Sequence, residues 1–72
     1  MYVIRQDQFH AVEFFCGKTY IHQGVKYGIF STDVREAKVY LSERVAKRAL
    51  KKHRQGLNNI VSNAEVVPTK QG

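Results

Sequence analysis

The sequence predicts an α+β domain: a mainly antiparallel sheet of four to six short strands with one amphipathic helix packed on one face. Three observations carry this expectation. Short β-branched and aromatic runs, separated by turn residues, fill the chain from Tyr2 to Leu41. Apolar residues between Val45 and His53 return at helical spacing. The chain has 72 residues, enough for one core and too few for separate cofactor and substrate lobes. With 43% hydrophobic and 25% charged residues it is not a disordered composition.

Tyr2-Val-Ile-Arg5 opens the chain as a β-branched, aromatic strand with a central place in the sheet. The stretch Phe9 to Cys16 is apolar on both parities. Gly17-Lys18 then turns or bulges into Thr19-Tyr20-Ile21-His22. Gln23-Gly24 turns the chain again, and Val25 to Phe30 forms the next strand. Asp33, with Glu36 three residues on, reads as an acidic capping box over a short helical turn. Ala37 to Leu41 reads as a strand feeding the helix.

From Ser42 to Gly56, Val45, Ala46, Ala49, Leu50 and His53 share one helical arc, and every Lys and Arg lies on the opposite arc. Ser42 is placed to cap the N-terminus, Glu43 suits the positive end of the dipole, and the basic residues of the last turns suit its negative end. Gly56 in the left-handed conformation, followed by Leu57, is expected to end the helix in a Schellman stop. Asn58-Asn59 and Ser62-Asn63 supply turn chemistry before the strand Ala64 to Val67, which Pro68 stops. The domain is expected to span residues 1–68, with 69–72 as a frayed tail. One helix covers one sheet face, whereas the eight aromatics (Tyr2, Phe9, Phe14, Phe15, Tyr20, Tyr27, Phe30, Tyr40) fall on both parities. Some of them must face elsewhere.

Twelve Lys and Arg against six Asp and Glu give a net charge of +6. Between Ser42 and Arg54 stand Arg44, Lys47, Arg48, Lys51, Lys52 and Arg54 against Glu43 alone, so this segment holds nearly all of the excess. Such segregation points to an acidic partner. A single cysteine, Cys16, forms no internal disulfide, and no signal-like start or membrane-length apolar run is visible. Cytoplasmic residence in a host cell, with no membrane partner, is the expectation.

The opening Tyr-Val-Ile-Arg strand, Phe30-x-x-Asp33, Ala37-Lys-Val-Tyr40, Ser42 and the helix alanines Ala46 and Ala49 together resemble small uncharacterised proteins encoded by phages and prophages of Gram-positive bacteria. The similarity spans most of the chain. What the resemblance implies is a compact β-rich fold with one helix, no assigned activity and no catalytic residues, in a cell where small accessory proteins meet host factors or nucleic acid. The segment Phe9 to Val25 is longer than the simple hairpin of that pattern.

Lysines and arginines at three- to four-residue spacing suit a phosphate backbone, though a solvated helix face is often basic for solubility alone. Lys26-Tyr27-Gly28-Ile29-Phe30 echoes an RNA-recognition strand, but Tyr27 and Phe30 lie on opposite parities. His10, Cys16, His22 and His53 lack the tight pairing of a structural zinc site. Cys16 has no orienting third group for nucleophilic catalysis, and capping accounts for Asp33 and Glu36. Ala46 and Ala49 give the helix too little apolar area to lie on a membrane. The sequence therefore reads as a non-enzymatic binding module without metal or cofactor. It contacts nucleic acid or another acidic partner through Arg44, Lys47, Arg48, Lys51, Lys52 and Arg54. The alternative is a module that binds or inhibits a host or phage protein, or forms a homodimer, through surplus sheet aromatics from Phe9 to Phe30.

Overall fold

The computed structural model describes residues 1–69. It is an α+β fold of four antiparallel strands, β1 (Tyr2–Gln8), β2 (Ala11–His22), β3 (Val25–Ser31) and β4 (Glu65–Pro68), with one helix, α1 (Glu43–Gly56). The sheet order is β3-β2-β1-β4, so β1 is central as its composition predicts, and β3 and β4 are the outer strands.

Both hairpins close through two-residue turns with left-handed backbone at each position: Phe9 and His10 between β1 and β2, and Gln23 and Gly24 between β2 and β3. Two positive φ values match the right-handed twist of the flanking strands. Phe9 is therefore a turn residue, 88% exposed, rather than the start of a strand. The apolar composition of its stretch hid the turn.

At Gly17 the bulge expected from sequence is present. Register passes from Phe15↔Phe30 to Thr19↔Gly28, leaving Cys16, Gly17 and Lys18 opposite Ile29 alone. β2 pairs with β1 only from Ala11 to Phe14 and above that point belongs to β3. The segment expected as the strand Ala37 to Leu41 enters the gap as a wedge. Lys38 donates its N–H to the Phe15 carbonyl (2.8 Å), and Tyr40 exchanges two 2.8 Å backbone bonds with Tyr2 in an isolated bridge. It does not extend into a strand, because its partners sit on two strands that are already diverging. Gly17 makes the approach feasible, since a Cβ there would lie 3.0 Å from Lys38 Cβ.

The core lies between the sheet and α1. Ile4, Phe15, Leu50, Leu57 and Ala64 are buried together, with Phe30, Tyr40, Ala49, Ile60 and Val66 packed around them. α1 presents Ala46 and Leu50 fully to the sheet, and His53 sets its ring 4.7 Å from Phe15. Val45, expected on the buried arc, is 50% exposed, because the contact stripe runs through Ala46, Leu50, His53 and Leu57 and leaves Val45 on its margin. Leu41 is likewise 83% exposed.

Both helix ends differ from expectation. Ser42 makes no side-chain capping bond, and only its carbonyl enters the helix, accepting from Ala46 N–H at 3.0 Å. Gly56 has no positive φ; the helix stops at Leu57, which is extended, with its N–H on the His53 carbonyl. Burial of the Leu57 side chain against the sheet draws the chain off axis where a left-handed glycine was expected. The Asp33 turn is half a capping box: Asp33 accepts from Arg35 N–H (2.9 Å), while Glu36 takes the Ser31 hydroxyl instead of reaching back. Of the tail expected to fray, Thr69 extends the sheet pairing by donating to the Met1 carbonyl, and residues 70–72 lie outside the described residues.

Candidate nucleic-acid interface

α1 holds all six predicted site residues on its solvent face. Fourteen residues rise about 21 Å along the axis, and at 100° per residue the cations sweep about 160° of the circumference. Arg44, Lys47, Arg48, Lys51, Lys52 and Arg54 are all exposed. They do not form a single row.

Lys47, Lys51 and Arg54 flank β4. With Leu50, Val66 and Glu65 they line a groove of about 400 Å³ between the helix and that outer strand. Arg54 also donates to the Ala64 carbonyl, tying the helix end to the entry of β4. Arg44 and Arg48 crown the helix, while Lys52 lies on the flank away from β4.

The acids of the chain do little to neutralise this face. Glu43 pairs with Lys47 at 3.5 Å. Glu65, in the same groove, is paired with Arg5, and the other four acids are engaged elsewhere: Asp7 with Arg5, Asp33 with Arg35, Glu13 with Gln6 and Glu36 with Ser31. Among the described residues, Arg44, Arg48, Lys51, Lys52 and Arg54 form no ion pair.

The cationic surface also continues beyond the helix, where sequence reasoning had not placed it. Asn58, two residues past α1, donates to the Lys26 carbonyl on β3 (3.0 Å), and Asn59 exchanges two 2.8 Å bonds with the Gly28 backbone. These bonds bring Lys26 to the C-terminal end of α1. Burial first, and then the charges of Lys52 and Lys26, hold the His53 imidazole below its usual range. The Gln23-Gly24 turn was the available signal, since it fixes which β3 residues lie beside the hairpin tip.

The weaker candidates are dispersed. His10 sits in the β1–β2 turn, His22 at the far end of β2, Cys16 in the bulge and His53 on α1. Among the described residues no group of three or more His, Cys, Asp or Glu is placed to hold a metal. Burial, with Glu36 adding to it and Lys18 opposing it, pushes the Cys16 thiol up, away from the thiolate a nucleophile needs. Tyr27 and Phe30 point to opposite faces as their parity predicts, Phe30 being packed on the core. No described helix is long and apolar enough to cross a membrane.

Compared with known proteins, the chain matches no protein-family model, no curated sequence and no solved structure.

Proposed function

We propose that the protein is a non-enzymatic binding module that engages the phosphate backbone of nucleic acid through the exposed face of α1. The observation that carries this reading is the uncompensated charge: five of the six helix cations have no ion pair among the described residues, Glu43 pairs with Lys47 alone, and Glu65 in the groove is paired with Arg5. A face built only for solubility gains from interspersed signs, whereas this one carries a single sign over most of its arc. Such a surface attracts a polyanion and gains further from counterion release. The resemblance to phage and prophage proteins supports an accessory role in the cytoplasm of a host cell.

The test is fluorescence anisotropy of labelled DNA and RNA over a series of salt concentrations. Affinity should fall with a log–log slope of roughly −3 to −5, corresponding to four to six phosphates. Replacing Lys47, Arg48 and Lys51 together by Gln should weaken binding at least about tenfold and flatten the slope by roughly 2 to 3, with unchanged circular dichroism because all three side chains are exposed. Undiminished binding by that variant would remove the helix as the site.

A second reading, docking of a protein or of a second copy, is favoured by the exposure of Val12, Tyr20 and Ile29 on the sheet. It expects an association insensitive to salt. Sedimentation of the free protein as a monomer at all concentrations would rule out the homodimer.

A further inference from the structure

Beyond the bulge, the β2–β3 hairpin carries two rings that the core does not use. Tyr20 and Tyr27 are direct cross-strand partners. Their rings stack with centroids 5.4 Å apart and 23° between planes. The neighbouring Gly28 faces inward, where a Cβ would meet Leu57, Phe15 and Phe30, so alternation turns Tyr27, and Tyr20 with it, to the sheet face away from α1. Tyr20 is 49% exposed, and Ile21 beside it is 71% exposed although its parity faces the helix side. This part of the hairpin is thus an arm reaching past the helix. A stacked pair leaves each ring one face turned away from its partner.

The arm borders the cationic surface. Lys26 precedes Tyr27 on β3, the outer strand of the sheet on this side among the described residues, and the Asn58 bond to its carbonyl fixes it at the end of α1. Asn58 and Asn59 hold the outward edge of β3 at Lys26 and Gly28, so a path along Arg48, Lys52 and Lys26 reaches the tyrosines around the Gln23-Gly24 tip of the hairpin. Lys18, exposed in the bulge, lies on the adjacent strand.

We propose that Tyr20 and Tyr27 form a base-stacking surface and that the nucleic acid bound here is single-stranded. This rests on the reading of α1 as the phosphate-binding face. Paired bases in a duplex keep their faces within the stack, so an aromatic pair of one exposed and one half-buried ring beside a phosphate path gains nothing from a duplex. A flexible strand, by contrast, can turn the tip of the hairpin and set its bases on the rings. Stacking on an aromatic ring contributes a factor of roughly 5 to 150 in affinity per base and tolerates any sequence. This agrees with the absence of an element placed for base-specific readout. The bland alternative, that the pair serves only to hold the hairpin together, makes no difference between strand forms.

The experiment compares labelled single-stranded DNA and RNA of about twelve nucleotides, within the usual site size for such surfaces, with a duplex of the same length. Full-length wild type, Tyr20→Leu/Tyr27→Leu and Tyr20→Phe/Tyr27→Phe are titrated at fixed low salt and over a salt series. Wild type should bind the single strands at least about tenfold more tightly than the duplex, with quenching of its tyrosine fluorescence, in a chain that has no Trp. The Leu variant should lose at least about tenfold on single strands, keep its duplex affinity and keep its salt slope. The Phe variant, which retains the rings, should bind single strands like wild type and shows that the arm is intact. Equal or tighter duplex binding by wild type, or single-strand binding unchanged in the Leu variant, overturns the stacking proposal. In those cases a steep salt slope still supports the α1 reading; no binding of either form at low salt overturns both.

Discussion

Gln6 is the buried polar residue on which the loop after α1 is set. Its amide nitrogen donates to Glu13 Oε1 (2.7 Å) and to the Asn59 carbonyl (3.1 Å), and its oxygen accepts from Val61 N–H (3.1 Å). Those bonds hold the segment whose neighbour, Asn59, grips Gly28 and so places Lys26 near the helix. Gln6→Ala leaves Val61 N–H and the Asn59 carbonyl without these partners, and an unsatisfied buried group costs about 1–3 kcal/mol. We expect the unfolding free energy to fall by that amount, seen as a lower denaturant midpoint with an unchanged m-value. A midpoint within error of wild type would show that the loop is held by its apolar contacts alone. Nothing in the sequence marks Gln6 for this role. Its alternation with Ile4 was legible, but the polar loop it satisfies is more than fifty residues away, and no local pattern encodes that distance.

The two glycines in left-handed conformation separate backbone strain from steric approach. Gly17 (φ 83°) sits in the bulge against Lys38 Cβ, whereas Gly24 (φ 78°) has open space where a Cβ would stand. Gly24→Ala should cost only the left-handed penalty of about 1–2 kcal/mol. Gly17→Ala should cost more and should weaken the Lys38 and Tyr40 wedge, seen as faster exchange of those two amides by NMR. Equal losses of stability for the two variants would mean that Lys38 yields freely. The strand composition of β1, the bulge at Gly17, the Gln23-Gly24 turn and the cation arc of α1 were all readable, because each depends on neighbours a few residues away. Phe9-His10 was not, since a large aromatic in a left-handed turn contradicts its own local preference. Segment Ala37 to Leu41 was misread for a different reason: its strand-like composition is satisfied by one bridge and one N–H bond to strands that diverge, a geometry set by the bulge twenty residues earlier.

Across the domain, charge and apolar surface are sorted by layer: cations on the outside of α1, the core beneath it, and partly exposed aromatics on the far side of the sheet. His53 joins these layers, with its ring on Phe15 and the charges of Lys52 and Lys26 nearby. Burial foremost, and then those two charges, lower its folded-state pKa, so the unfolded chain binds the proton more tightly than the folded one. The stabilisation from neutral His53 is therefore complete above the unfolded value of about 6.5 and is lost as pH falls below it towards and through the depressed folded value. Wild type should lose more melting temperature between pH 8 and pH 5 than His53→Leu, which has no imidazole to protonate; identical losses would show that His53 carries none of the acid sensitivity. The same group also reports on the site. An anion seated on Lys52 and Lys26 offsets two of the charges that disfavour imidazolium, so saturating oligonucleotide should move the His53 titration towards higher pH in NMR spectra. A titration unmoved by bound oligonucleotide would place the phosphates away from Lys52 and Lys26, on the flank formed by Lys47, Lys51 and Arg54.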